Sequence, residues 1–175
     1  LKESNWKEIE YFDETWKNRI KEMSALIPDG VSSLIDVGCG KSWLKQFIKS
    51  DIRYFGLDYQ RRDENTIVCD LNNKEFPNIE VDLAFCSGVF EYIEQSNIDW
   101  FMKNLNHCAS HIVISYCSLD LNPKIKVRKS YGWKNHYKKS DFIRLVSEFG
   151  FELDTELSPI DGNNIFKFNK VEELV

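Results

Sequence analysis

The chain has 175 residues, 42% hydrophobic and 29% charged, with 8 glycines, 4 prolines and a formal net charge of −5. That balance fits one soluble domain with a sizeable core. It excludes a disordered chain, a collagen-like repeat and bulk attraction to nucleic acid or an anionic bilayer. Every apolar run is shorter than the roughly 18 residues of a membrane span, and no basic-then-apolar leader opens the chain, so a cytoplasmic protein is expected. The first residue is Leu1, from which an excerpt of a longer chain is the expectation. The cysteines at 39, 69, 86, 108 and 117 form no Cys-x-x-Cys pair, so they read as buried fillers in a reducing compartment and no metal is expected.

Trp6, Ile9, Phe12, Trp16, Ile20, Met23 and Ile27 recur at steps of three and four, which predicts one long amphipathic helix. Ser4 or Asn5 can cap its start and Pro28-Asp29-Gly30 stops it. Apolar bursts follow, at residues 33–38, 53–58, 66–70, 81–87 and 111–117. Each is nearly continuous, as in parallel strands covered on both faces. Helical stretches are predicted over Ser42–Lys49, Ile98–Cys108 and Ser140–Phe149. Residues 150–157 and 165–170, joined by the loop SPIDGNN, read as an antiparallel hairpin. The result is an α/β fold with a mostly parallel sheet and a C-terminal hairpin on one edge. The connections after strands two and three are too short for much helix, so the N-terminal helix is the available cover for the thinly covered sheet face.

The segment Leu34-Ile35-Asp36-Val37-Gly38-Cys39-Gly40-Lys41-Ser42 runs from a strand through Gly-x-Gly. Glycine permits the sharp turn and lets a ligand approach the backbone. A dinucleotide fingerprint needs a third glycine where Trp43 stands, and a P-loop needs a glycine where Ile35 stands. Asp36-Val-Gly-Cys-Gly resembles the first motif of the class I S-adenosylmethionine-dependent methyltransferases. Acids at the ends of strands two and three, Asp58 and Asp70, and the run VDLAFCSGVFEYI extend the likeness over about residues 30 to 170.

The resemblance implies a Rossmann-like sandwich, an S-adenosylmethionine cofactor leaving as S-adenosylhomocysteine, and a methyltransferase domain over 31–175. Residues 1–30 would be its lid or cover. It implies that Asp36 reaches the methionine ammonium, directly or through water. Gly38, Cys39, Gly40 and Trp43 would line the cofactor. Asp58 with Tyr59 would hold the ribose, Asp70 with Leu71 the adenine, and Ser87 would lie beside the methionine portion or the methyl group.

Ligands of such sheets bind beyond the carboxyl ends of the strands, so the acceptor should meet Phe90, Glu91 and Tyr92 after strand four and Tyr116 after strand five. The stretch after strand five carries Lys124, Lys126, Arg128, Lys129, Lys134, Lys138 and Lys139 with no acid among them, interleaved with Tyr131, Trp133, His136 and Tyr137. It reads either as a solvated basic loop or as a site for an anionic acceptor. On the second reading Arg128, Lys129 and Lys134 would pair with phosphate or carboxylate, Trp133 and Tyr137 would stack on a sugar or base, and Tyr131 would also contact the acceptor. His136 is the candidate base, with Tyr116 and Glu91 in reserve. The expected partner is a small metabolite or surface-glycan precursor and not DNA. A homodimer, a non-catalytic module of a larger enzyme and an RNA methyltransferase stay open as alternatives.

Overall fold

A computed structural model of the chain describes residue 10 and residues 12–171. One seven-stranded sheet runs through it in the order β3-β2-β1-β4-β5-β7-β6. Its strands are β1 (Ser33–Val37), β2 (Arg53–Asp58), β3 (Ile67–Val68), β4 (Val81–Cys86), β5 (Ala109–Tyr116), β6 (Phe151–Ile160) and β7 (Asn163–Lys170). Strands β3 to β5 pair in parallel, whereas β7 runs antiparallel to both β5 and β6. The helices are α1 (Glu14–Ser24), α2 (Ile98–Cys108), α3 (Ile125–Ser130) and α4 (Lys139–Glu148).

The period-2 alternation within each strand builds two cores. Ile35, Val37, Ala84, Cys86, Ile112 and Ile114 point to one face, where Phe101, Met102 and Leu105 of α2 and Phe142 and Val146 of α4 cover them. Leu34, Leu83, Phe85 and Val113 point to the other, where Met23 and Ile20 of α1 pack with Leu44, Ile48 and Ile52. The second face is thus covered by the chain's first helix rather than by a crossover helix, because the links after β2 and β3 hold only turns.

Three predicted elements differ. The described part of the N-terminal helix starts at Glu14, capped by the Asp13 side chain accepting from Thr15 N–H at 2.9 Å, and the predicted caps Ser4 and Asn5 lie outside the described residues. Phe12 of the predicted stripe lies before the helix, and Trp6 and Ile9 fall outside the described residues. Ser42–Lys49 is a single 3-10 turn, Trp43–Gln46. Ser42, left-handed at φ 54°, precedes it, and the turn ends at Phe47, where φ is −119°. The loop SPIDGNN is mostly strand: only Asp161 and Gly162 turn, both at positive φ, the geometry of a tight two-residue hairpin.

Candidate functional site

A cleft of about 850 Å³ opens at the carboxyl ends of β1, β2, β4 and β5, within the usual size of small-molecule sites, roughly 300–1,000 Å³. Its floor is the glycine turn. Gly38 sits at φ 73°, and a Cβ there would press on Val89 at 3.0 Å, so only glycine makes this turn cheaply. Its N–H and that of Cys39 both bond to the Leu57 carbonyl, stitching the turn to β2.

Asp58 stands at the end of β2 on the cleft wall, 5% exposed. Its Oδ2 accepts the Gly40 N–H at 3.0 Å; its Oδ1 accepts the Gln60 N–H at 3.1 Å and meets Arg62 Nε at 3.1 Å. A carboxylate offers about four lone-pair directions. A grip on two hydroxyls therefore requires Arg62 to yield its place on Oδ1. Tyr59, Asp70, Leu71 and Ser87 also line the cleft. Asp70 caps the turn that follows it, accepting from Asn72 N–H at 2.9 Å.

Other residues of the predicted cofactor set lie behind that wall. Asp36 is buried on the far side of the turn, where Tyr54 Oη donates to it at 2.6 Å. Burial pushes its carboxyl up to about 7, against the pull of that hydrogen bond. Cys39 faces a smaller hollow beside Ser42, Lys45 and Tyr54. Gly40 is covered by the Phe12 ring, with which a Cβ would collide, and Trp43 packs edge-on to the same ring.

Of the residues predicted to meet an acceptor, Glu91, Tyr92, Tyr131, Trp133 and Lys134 line the cleft. Phe90 is a core residue, wedged against Phe101, Tyr116 and Phe142. Tyr116 is fully buried; its hydroxyl donates to Asn135 and accepts the Tyr137 N–H at 2.8 Å, and burial pushes it up, away from any base role. Lys129 points to solvent, and Tyr137 packs on the core.

Arg128 is not a surface cation. It is completely buried, with Nη1 donating to the Cys117 carbonyl at 2.6 Å and Nε to His136 Nδ1 at 3.0 Å. It clamps the basic segment to the end of β5. His136 is thereby committed as the acceptor of that bond and is absent from the cleft wall. Its partial burial and the neighbouring Arg128 and Lys129 lower its proton affinity. The basic run is therefore neither a loose solvated loop nor a cationic acceptor wall, because Lys134 alone among its cations reaches the cleft.

Sequence reading missed Arg19. Carried by α1, it is 6% exposed; Nε donates to Ser87 Oγ at 3.1 Å and Nη1 pairs with Asp161 of the β6–β7 turn at 3.0 Å. The available signal was its place on the apolar stripe, three residues after Trp16 and four before Met23: a charge on a buried face needs a partner. Phe12 and Trp16, 5.3 Å apart between ring centres, complete the rim.

No protein-family model and no curated protein matches the sequence. Solved structures do match in shape. The pyocyanin biosynthetic protein PhzM aligns over 87% of this chain at a TM-score of 0.68 and 14% identity. The chain spans about half of its length, 54%. The 1,6-didemethyltoxoflavin-N1-methyltransferase of Burkholderia thailandensis aligns over 91% of this chain and 80% of its own, with a TM-score of 0.71 and 11% identity. The magnesium protoporphyrin IX methyltransferase of Synechocystis PCC 6803 covers 95% and 93%, with a TM-score of 0.70 and 15% identity. This is the class I methyltransferase fold. The cleft lies at the carboxyl ends of the strands, where the strand order reverses between β1 and β4.

Proposed function

We propose that the chain transfers a methyl group from S-adenosylmethionine to a small acceptor bound in the same cleft. The observation that carries this reading is the pairing of the Gly38 turn with the Asp58 carboxylate on one wall of the cleft. The residues fit the cofactor. Asp58 suits the ribose hydroxyls, Asp70 and Leu71 lie where an adenine edge would pass, and Ser87 lies at the other end of the trough. Arg19 Nη2 faces Gly88 there and suits the carboxylate of the methionine portion. Asp36 is held behind the turn, so its contact with an ammonium group would run through water. Bound there, the sulfonium supplies an already activated methyl group, so the chain's main task is alignment.

Phe12, Trp16 and Arg19 all reach the cleft from the N-terminal segment, which supports its reading as a cover over the bound cofactor. The acceptor half lies under Tyr131, Trp133 and Lys134. Its charge supports an anionic metabolite or glycan precursor only through Lys134 and Arg19. The cleft wall as a whole carries Asp58, Asp70, Glu91 and Asp161 against Arg19, Arg62 and Lys134, which favours an acceptor without net negative charge.

Calorimetry with S-adenosylhomocysteine tests the reading. Binding to the native chain is expected, and Asp58→Ala should weaken it by at least about 10-fold, the equivalent of one charge-assisted hydrogen bond. No binding, or equal affinity in a folded variant, refutes it.

A further inference from the structure

Glu91 lies on the cleft floor between the mouths of β4 and β5 and is 2% exposed. Its carboxylate is hydrogen-bonded through Oε1, and its own backbone N–H also favours the charged form. Oε1 accepts the Cys117 N–H at 2.7 Å, and the Glu91 carbonyl accepts the Lys134 N–H at 2.7 Å, so both side chain and backbone are fixed. Oε2 is equally buried and accepts no hydrogen bond among the described residues. Buried carboxylate oxygens are normally satisfied, and one without a partner on a cleft-lining residue marks a place for a donor from outside. The groups that act electrostatically on Glu91 are Arg19 from α1, Arg128 from α3, Tyr92 on its own turn, and Tyr116 and Cys117 of the β5 end. Burial raises its proton affinity; the Cys117 N–H and its own N–H draw it back, and the two arginines add to that.

We propose that Glu91 Oε2 takes the proton of a hydroxyl group on a planar, uncharged acceptor, an inference that rests on the methyl-transfer reading. Tyr92, Tyr131 and Trp133 line the cleft around it and offer ring faces to a flat molecule. A hydroxyl is the group that needs this residue, since a neutral amine already carries a free electron pair whereas a hydroxyl oxygen becomes a good nucleophile only as its proton leaves. As the O–H bond breaks, its proton passes to Oε2. The oxygen pair bonds to the methyl carbon, the C–S pair stays with sulfur, and the product is a methyl ether. The proton then leaves Glu91 to a water that enters once the product has departed.

The test uses the full chain with S-adenosylhomocysteine bound and a panel of phenol, catechol, benzoate and phenyl phosphate. The Glu91 carboxyl is followed by carbon NMR after selective glutamate labelling and assigned by its loss in E91Q. It should titrate above the ordinary carboxylate range and shift with phenol or catechol but not with the anions. E91Q keeps an acceptor for the Cys117 N–H, so it should bind S-adenosylhomocysteine within about 2-fold of the native chain. With S-adenosylmethionine it should lose at least about 100-fold in methyl transfer to the hydroxyl compound, the lower bound for a positioned base. If E91Q does not fold, the native titration, assigned by proximity to the Cys117 amide, decides. A Glu91 that titrates in the ordinary range, that no neutral panel member shifts, or that can be replaced without loss of turnover overturns the proposal. Failure of the native chain to bind S-adenosylhomocysteine overturns the methyl-transfer reading beneath it.

Discussion

Arg128→Ala should cost stability rather than acceptor affinity. The side chain is fully buried and makes two short hydrogen bonds, 2.6 Å to the Cys117 carbonyl and 3.0 Å to His136 Nδ1. Longer contacts of 3.4 Å reach the Asn122 and Asn135 carbonyls and the Tyr116 hydroxyl. Hydrogen bonds to a charged group are worth about 1.5–3 kcal/mol each, so the two short ones set a loss of roughly 3–6 kcal/mol. Relief of the buried charge offsets part of it, leaving roughly 3–5 kcal/mol out of a typical total of about 5–15 kcal/mol. For a chain of this size that is a fall in Tm of roughly 6–20 °C. Arg128→Lys should recover little, because an ammonium cannot span the same acceptors. Urea titration of the native and variant chains measures the loss. A fall below about 1 kcal/mol with an unchanged m-value would show that the guanidinium does not hold the segment. Unchanged stability with a raised KM for the acceptor would restore the anion-binding role.

Two further predictions concern pH, and their signs are opposite. Asp36 is raised from 3.8 to about 7 by burial, so between those values the folded chain holds a proton that the unfolded chain releases, and stability falls as pH rises through that window. Asp36→Asn should remove this slope, read as the urea midpoint between pH 4 and 8; an unaltered slope would show that Asp36 stays ionised. His136 is lowered from 6.5, so its contribution is present above that value and is lost as pH falls through the folded pKa. His136→Ala should flatten the acid limb below about pH 6.5, and a variant with the native acid limb would place the transition elsewhere.

Much of the frame was legible because its causes are local. The continuous apolar runs ending in Val37, Asp58 and Cys86 place three parallel strands. The Gly38 turn and the acid at Asp58 share the cleft because both sit at strand ends that β-pairing makes neighbours. What escaped notice depends on long-range partners. Arg128 reads as one cation in a basic run, and only its distance to the Cys117 carbonyl reveals a buried clamp. His136 has the spacing of a base, but its acceptor nitrogen is taken by that clamp. Ser42–Lys49 has helical apolar spacing, yet the chain makes only one 3-10 turn and leaves it at Phe47. The Asp161–Gly162 turn is legible as a turn, whereas its place on the cleft wall follows only from β7 inserting between β5 and β6.

The ion pair between Arg19 and Asp161 has a consequence for biosynthesis. One partner lies in the first described helix and the other near the last strand, and both reach the same cleft. During synthesis the chain emerges at about 5–20 residues per second, and the parallel strands β1 to β5 can pair well before β7 exists. Until the β6–β7 turn leaves the ribosome, Arg19 lacks its ion-pair partner, and the cleft lacks its Asp161–Asn163 wall. A nascent chain arrested before Asp161 should therefore hold much of its sheet yet retain no S-adenosylhomocysteine, which makes ligand capture by stalled ribosomes a stopwatch for the closing of the fold.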